Sequence, residues 1–486
     1  VNTQVKRTAA LILLLFLALF ATLTYLQFAK AAELRANPNN WRAETDRNNR
    51  DRGLIVVDGG QIIARSEQSN DEFGYQRIYT EGPLYAPVTG FFTVVAPPQG
   101  GIELAENEVL EGTADSLFWT RVQDLFTGSR PRGGTVELSL LPNAQQVAWD
   151  ALGDQRGAVV VMDATTGQIL VMVSKPSFDP NALAVHSGSQ VNDTYQALLD
   201  NPGRPLDNRA IAGHLYTPGS TFKLITAAAA LQSGRFHPTT ELDAPAALPY
   251  PNSTDQLTNF GDSECAASGQ MSLADALAIS CNTAFGLLGF DLGEQVLAQQ
   301  AEAFGFGQPL DVPLAVTPSD FPIGQDSAEI IRASIGQQDV RVTPLQMAMV
   351  AAAIANHGDL MRPQLVSSTR DADLNVLSTT SPQRIAQPMS PVTADQLKEM
   401  MVGTVTKGSA ARAAVSGLTV GAKTGTAQKG EGQAPDVWTV GFGETENRTM
   451  AIAVVVEDGG TQGVNGTGGA VASPIVSQVL QAVFAS

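Results

Sequence analysis

Two cysteines and four histidines among 486 residues leave little with which to hold a metal. His186, His214, His237 and His357 are scattered, and with Cys265 and Cys281 they make no set with ligand spacing, so no metal or other cofactor is expected. Basic residues are also scarce. Thirty Lys and Arg face 48 Asp and Glu, a net charge of -18 that excludes a nucleic-acid partner, whose phosphates demand a basic surface. The acidity reads as a solvated exterior. There is no internal repeat and no long low-complexity tract. With 43% hydrophobic and 16% charged residues, the chain has the balance of a globular protein long enough for two folded units.

One long apolar run stands out. Thr8 to Phe28 carries no charge, and about 20 such residues at ~1.5 Å each cross a ~30 Å hydrocarbon core. Lys6 and Arg7 precede it, so the short basic end is expected in the cytoplasm and everything after Phe28 outside the membrane. The competing reading is a cleaved signal peptide, given Ala29-Lys30-Ala31, but signal cores usually run only ~7–15 residues. Outside the membrane Cys265 and Cys281 read as one disulfide, with two buried free thiols as the alternative.

The expected organisation is a tail (1–7), a membrane anchor (8–28), a pedestal (29–140) and a larger unit (141–486). After a polar juxtamembrane stretch to Arg52, strand-like runs at Leu54–Val57, Gln61–Ile63, Phe91–Val95 and Val136–Leu140 suggest a small strand-rich pedestal. Pro142 to Gly153 has helical spacing and a terminal glycine. Gly157–Asp163 and Ile169–Val173, joined by Thr166-Gly167, read as a strand pair buried on both faces. Val420–Gln428, Val437–Gly443 and Met450–Glu457 read as three more strands. The region between is mostly helical, including Phe222–Gln232 and Thr343–Asn356. A last helix, Ser473–Phe484, would lie back on the sheet. The chain ends thus meet in one antiparallel sheet around a helical middle, an α+β plan.

Three short motifs occur once each: Ser220-Thr221-Phe222-Lys223, Ser280-Cys281-Asn282 and Lys423-Thr424-Gly425. Thr217-Pro218-Gly219 before the first and alanine-rich residues after it mark a buried helix beginning near Ser220. Residues i and i+3 share a helix face, so the Lys223 amine comes within reach of the Ser220 hydroxyl. Burial would lower the lysine pKa and let it take the serine proton, with the helix N-terminus facing the resulting oxyanion. For an isolated Ser-x-x-Lys the ordinary reading, a serine and an exposed lysine on any helix, would win. The other two motifs change that. Ser280 at a helix end can relay a proton, and Asn282 can hold a substrate carbonyl. Gly425 in a strand admits a second backbone, so that a peptide could pair along this edge. Lys423 with the hydroxyls of Thr424 and Thr426 would meet its carboxylate.

Together the motifs resemble those of the penicillin-binding proteins and serine β-lactamases. Wider context is similar to the class B penicillin-binding proteins: Arg52-Gly53-Leu54-Ile55, Gly101-Ile102-Glu103, Ser177-Phe178-Asp179-Pro180-Asn181, Ile335-Gly336-Gln337, Thr343-Pro344-Leu345-Gln346-Met347-Ala348 and Ala427-Gln428. The compact length most resembles the actinobacterial penicillin-binding protein A group. The resemblance implies a five-stranded antiparallel sheet with helices, set on a dimerisation-type pedestal. It implies a serine D,D-transpeptidase that joins peptidoglycan stem peptides ending in D-Ala-D-Ala and is acylated by β-lactams. Ser220 would be the nucleophile, Lys223 its base, Ser280 and Asn282 the relay and holding pair, and Lys423 the electrostatic anchor. The N–H groups of Ser220 and Thr426 would form the oxyanion hole. A membrane glycan polymerase and other division or elongation proteins would be partners. Cys281, inside the second motif, would tether that loop through Cys265.

A β-lactamase is the nearer rival, but no Glu-x-x-Leu-Asn follows the first motif, and the pedestal is unexplained by it. A D,D-carboxypeptidase shares the first half-reaction, and the motifs alone leave it open. A penicillin sensor would carry more cytoplasmic or transmembrane sequence than seven residues and one span, and a catalytically silent division scaffold would be free to lose Lys223 or Lys423, yet both are present.

Overall fold

The computed structural model describes residues 2–30, 49–96, 100–118, 126, 132–310 and 312–486, so most of the expected juxtamembrane stretch lies outside the described residues. Thr3–Ala29 is one exposed apolar helix of mean hydropathy 2.5, long enough at 27 residues to cross a bilayer, and fits the expected anchor. The helical run Gly468–Ala485 is also long and apolar, but 56% of it is buried. Ile475, Val476, Val479, Leu480 and Val483 on its one apolar stripe pack against Val159, Val161, Ile452 and Val454, which makes it a core element.

The larger unit is built on five antiparallel strands in the order Thr419–Ala427, Asp436–Glu444, Thr449–Val456, Gly157–Asp163, Ile169–Lys175. The two ends of the region meet where Val454 pairs with Val159. Side chains alternate across the sheet with the period of two that a strand imposes. Val159, Val161, Ile452 and Val454 face the helices Pro142–Leu152 and Ser473–Ala485. Ala158, Val160, Ala451 and Ala453 face the helical layer that holds Lys223–Gln232 and Pro344–Ala355. Both faces are covered, which is why the strands read as unbroken apolar runs. Each such valine or isoleucine contributes about 1.5–3 kcal/mol by leaving water.

The pedestal sheet has six strands, in the order Val376–Thr379, Val366–Arg370, Thr135–Leu138, Ile55–Val56, Ile62–Gln68, Tyr75–Tyr79. Its first two strands come from far beyond residue 140, so a pedestal of residues 29–140 is short of the hairpin that completes it. Nothing in the composition of Val366–Thr379 distinguishes it from a surface hairpin of the larger unit. A second difference concerns Phe91–Val95, expected as a strand. Its side chains are drawn to separate partners instead of a ladder: the Phe91 ring meets Phe178 edge-on, the Phe92 N–H donates to the Tyr79 hydroxyl at 2.7 Å, and the Arg52 guanidinium covers the Phe92 ring.

Inside the pedestal, Glu103 is fully buried and accepts from Arg52 Nε at 2.6 Å, Arg77 Nε at 2.7 Å and the Tyr79 hydroxyl at 3.0 Å. Burial pushes its pKa up, but the two guanidiniums outweigh that and hold the carboxyl below its ordinary value.

Candidate active site

The first motif sits on a tight turn. Gly219–Phe222 is a 3-10 turn and the α-helix Lys223–Gln232 continues it, so the helix proper begins three residues later than the sequence pattern suggests. In a 3-10 turn residues i and i+3 eclipse, which sets Lys223 directly beneath Ser220. The turn is fixed from three sides. The Gly219 N–H donates to Gly336 O at 2.9 Å, Trp438 Nε1 donates to Thr217 O at 3.1 Å, and Thr426 and Ala427 lie against Gly219. Gly425 in the third motif has to be glycine, since a Cβ there would meet Pro218 O at 2.8 Å and Thr221 Cγ2 at 3.0 Å. That close approach brings the strand Thr419–Ala427 against the nucleophile turn.

The second motif joins two helices, Leu273–Ile279 and Asn282–Leu292. Ser280 ends the first in the left-handed region, φ 65°, a conformation that is uncommon for a non-glycine residue. The reversal points both its carbonyl and its hydroxyl at the lysines. Lys223 Nζ donates to Ser280 O and to Asn282 Oδ1, each at 2.8 Å, and lies 3.3 Å from Ser280 Oγ. Lys423 Nζ is 2.8 Å from Ser280 Oγ and 2.9 Å from Thr424 O. Ser280 therefore bridges two amines. Among the described residues no hydrogen bond joins Lys223 Nζ to Ser220 Oγ; the bonds of the amine run to the second motif.

Both lysines are wholly buried and neither has a carboxylate partner among the described residues. Burial drives the pKa of Lys223 well below the usual lysine value, and the charge of Lys423 adds to it. Burial alone takes Lys423 down to about 7. Above the two amines Ser220, Ser280, Asn282, Thr424, Gly425 and Thr426 line one open cleft of ≈ 950 Å³. All the motif residues singled out in the sequence thus converge here, and Cys265 and Cys281 form a disulfide at the edge of the same cleft. No group of three or more His, Cys, Asp or Glu residues suited to a metal occurs among the described residues.

Asn259 escaped the sequence reading. The helix Asn282–Leu292 starts at Cys281, whose side chain provides no cap. Asn259 Oδ1 takes that place from another loop, accepting from the N–H groups of Asn282 at 2.9 Å and Thr283 at 3.1 Å. Next to it, Thr258 O accepts from Asn282 Nδ2 at 3.0 Å, which turns the amide so that its oxygen faces Lys223. The one available signal was a helix start carrying a cysteine where a capping residue belongs. Phe285, beneath the Lys223 amine at 5.5 Å, and Ser409, whose hydroxyl meets that of Thr424 at 2.7 Å, carry no sequence signature.

A serine on a helix-opening turn, a buried lysine one turn on, and a second lysine on the adjoining sheet edge define the serine acyl-enzyme class shared by penicillin-binding proteins and serine β-lactamases. Residues 157–481 match the penicillin binding protein transpeptidase domain and residues 52–136 the penicillin binding protein A dimerisation domain. The chain belongs to the penicillin-binding protein transpeptidase family, as a class B member most like the mycobacterial penicillin-binding protein A proteins. It is 43% identical to the peptidoglycan D,D-transpeptidase PbpA of Mycolicibacterium smegmatis, over 98% of this chain and 97% of that one. To the PbpA of Mycobacterium tuberculosis it is 40% identical, over 99% of each. The structure of penicillin-binding protein A from M. tuberculosis as a penicillin G acyl-enzyme complex superposes with a TM-score of 0.84, at 42% identity, covering 90% of this chain and 100% of that one.

Proposed function

We propose that this protein is a peptidoglycan D,D-transpeptidase in which Ser220 is the acylated nucleophile and Lys223 its base. The observation that carries the assignment is the hydrogen-bond count at Lys223. A neutral amine has two N–H groups and one lone pair; Ser280 O and Asn282 Oδ1 engage both N–H groups at 2.8 Å, and the remaining neighbour, the Ser280 hydroxyl at 3.3 Å, can itself donate, so the lone pair stays available to accept a proton. Burial without a carboxylate partner, with the charge of Lys423 nearby, disfavours the ammonium form.

Ser220 Oγ bonds to the carbonyl carbon of the penultimate D-alanine as its proton passes to Lys223. The N–H groups of Ser220 and Thr426 receive the oxyanion. The C–N bond then breaks, and the departing D-alanine amine takes a proton through the Ser280 hydroxyl, which spans Lys223 and Lys423. Lys423, Thr424 and Thr426 hold the terminal carboxylate. In the second half, the amine of a neighbouring stem peptide attacks the Ser220 ester; the C–O bond to Ser220 breaks, the amine's proton returns to Ser220 Oγ by the reverse path, and the cross-link is left. A β-lactam enters the first half and leaves a stable ester.

The apolar N-terminal helix supports a single-pass anchor (8–28) with the pedestal and catalytic unit outside the membrane. Cross-linking acts on glycan as it is made, so a membrane glycan polymerase and other division or elongation proteins are the expected partners. Intact mass and peptide mapping after penicillin treatment test the assignment: one adduct on Ser220 is expected, and an adduct elsewhere, or turnover as fast as a β-lactamase, overturns it.

A further inference from the structure

Two cations lie among the residues that line the cleft, Lys429 and Arg332. Lys429 is neutralised by Asp436 at 2.6 Å and Asp458 at 2.9 Å. Arg332 is not. It has no ion pair among the described residues, although the chain carries a net charge of -18. Its position is nevertheless built. Arg332 closes the helix Ser327–Ala333, Nε donates to Gln338 Oε1 at 2.8 Å, and the guanidinium lies 5.1 Å over the Tyr250 ring. Gln338 holds this pose in the left-handed region, φ 61°, while its amide also meets Glu329. The same segment touches the nucleophile: Ser334 O accepts from Thr226, and Gly336 O accepts from the Gly219 N–H next to Ser220.

A guanidinium held at Nε by Gln338, packed against Tyr250 and without a carboxylate partner among the described residues presents the planar fork that a carboxylate engages. We propose that Arg332, on the Tyr250 platform, binds a stem-peptide carboxylate other than the terminal one that Lys423 meets. This rests on the transpeptidase reading of the cleft. Such a carboxylate comes from one of two sources: the diamino residue of the acyl donor, or the carbon that bears the attacking amine of the acceptor.

The test uses the purified full chain with Arg332→Gln and Arg332→Lys variants. Penicillin acylation of Ser220 in every sample reports a folded protein with a working nucleophile. Transfer is then measured from synthetic stem peptides whose diamino residue carries a free or amidated carboxylate. The acceptors are glycine and glycinamide, which give products distinct from the donor. A charge-assisted hydrogen bond predicts that Arg332→Gln raises KM roughly ten- to hundredfold in a free-carboxylate arm relative to its amide arm, with partial rescue by lysine. A rise confined to glycine assigns the acceptor, and one confined to the free-carboxylate donor assigns the donor. Equal change in all arms, or none in any, overturns the proposal. If the parent forms no penicillin adduct on Ser220, the transpeptidase reading itself has failed instead.

Discussion

The molecule buries charge-bearing side chains in two places and treats them in opposite ways. In the pedestal Glu103 lies between Arg52 and Arg77, a carboxylate matched on both sides and hydrogen-bonded throughout. In the catalytic unit Lys223 and Lys423 lie around Ser280 with no carboxylate between them. Burial is complete in both. In the first, opposite charges outweigh desolvation and the groups stay ionised. In the second, desolvation drives both amines towards neutrality, and at Lys223 the charge of Lys423 adds to it. Matched burial gives a fixed joint, and unmatched burial gives a base.

The largest expected effect breaks the unmatched site. Lys223→Arg keeps the positive charge but cannot give it up, so the penicillin acylation rate should fall by about 10²–10⁴, the usual worth of a general base. Stopped-flow acylation checks it, and a near-normal rate would move the base role to another group.

The matched site should break as stability. Glu103→Gln leaves buried Arg77 without its counter-charge and Arg52 with only Glu111 at 3.8 Å, and should cost about 3–5 kcal/mol in urea unfolding of the pedestal. Acylation per folded molecule should not change.

The two sites predict the same sign of pH dependence of stability, a rise with pH, but in different pH windows. Glu103, with its folded pKa lowered, adds stability that is present above the unfolded value of 4.5 and is lost as pH falls. Lys423, lowered to about 7, binds fewer protons folded than unfolded between about 7 and 10.5, so stability should rise with pH across that window. Comparing the pH slope of melting temperature for the parent and Lys423→Met isolates the term; identical slopes would remove it.

A smaller effect concerns what holds the second motif. Asn259→Ala removes an acceptor from two helix N–H groups and should cost ~0.5–2 kcal/mol. It should also slow acylation, because Asn282 loses its register. Asn259→Asp keeps the acceptor and should restore both, so acylation assays on the pair separate positioning from packing.

The catalytic sheet, its flanking helices and the three motifs were legible because each writes a local pattern: period-two apolar strands, a Pro-Gly helix entry, lysine at i+3. The hairpin Val366–Thr379 was not, since pairing across more than 200 residues leaves no trace in either segment. Asn259 was not, because a cap supplied from another loop has no fixed spacing. The hydrogen-bond partners of Lys223 were not legible for a related reason. Helix spacing places it under Ser220, but the left-handed turn at Ser280 decides where its hydrogen bonds go.

The most direct test of unmatched burial reads the two amines themselves. Carbon-13 at lysine Cε reports amine protonation, and the Lys223→Arg and Lys423→Met variants assign the two signals. The account predicts that in the parent both amines titrate well below an ordinary lysine, Lys423 near 7. Two lysine signals that stay in the ammonium form to pH 9 would contradict it.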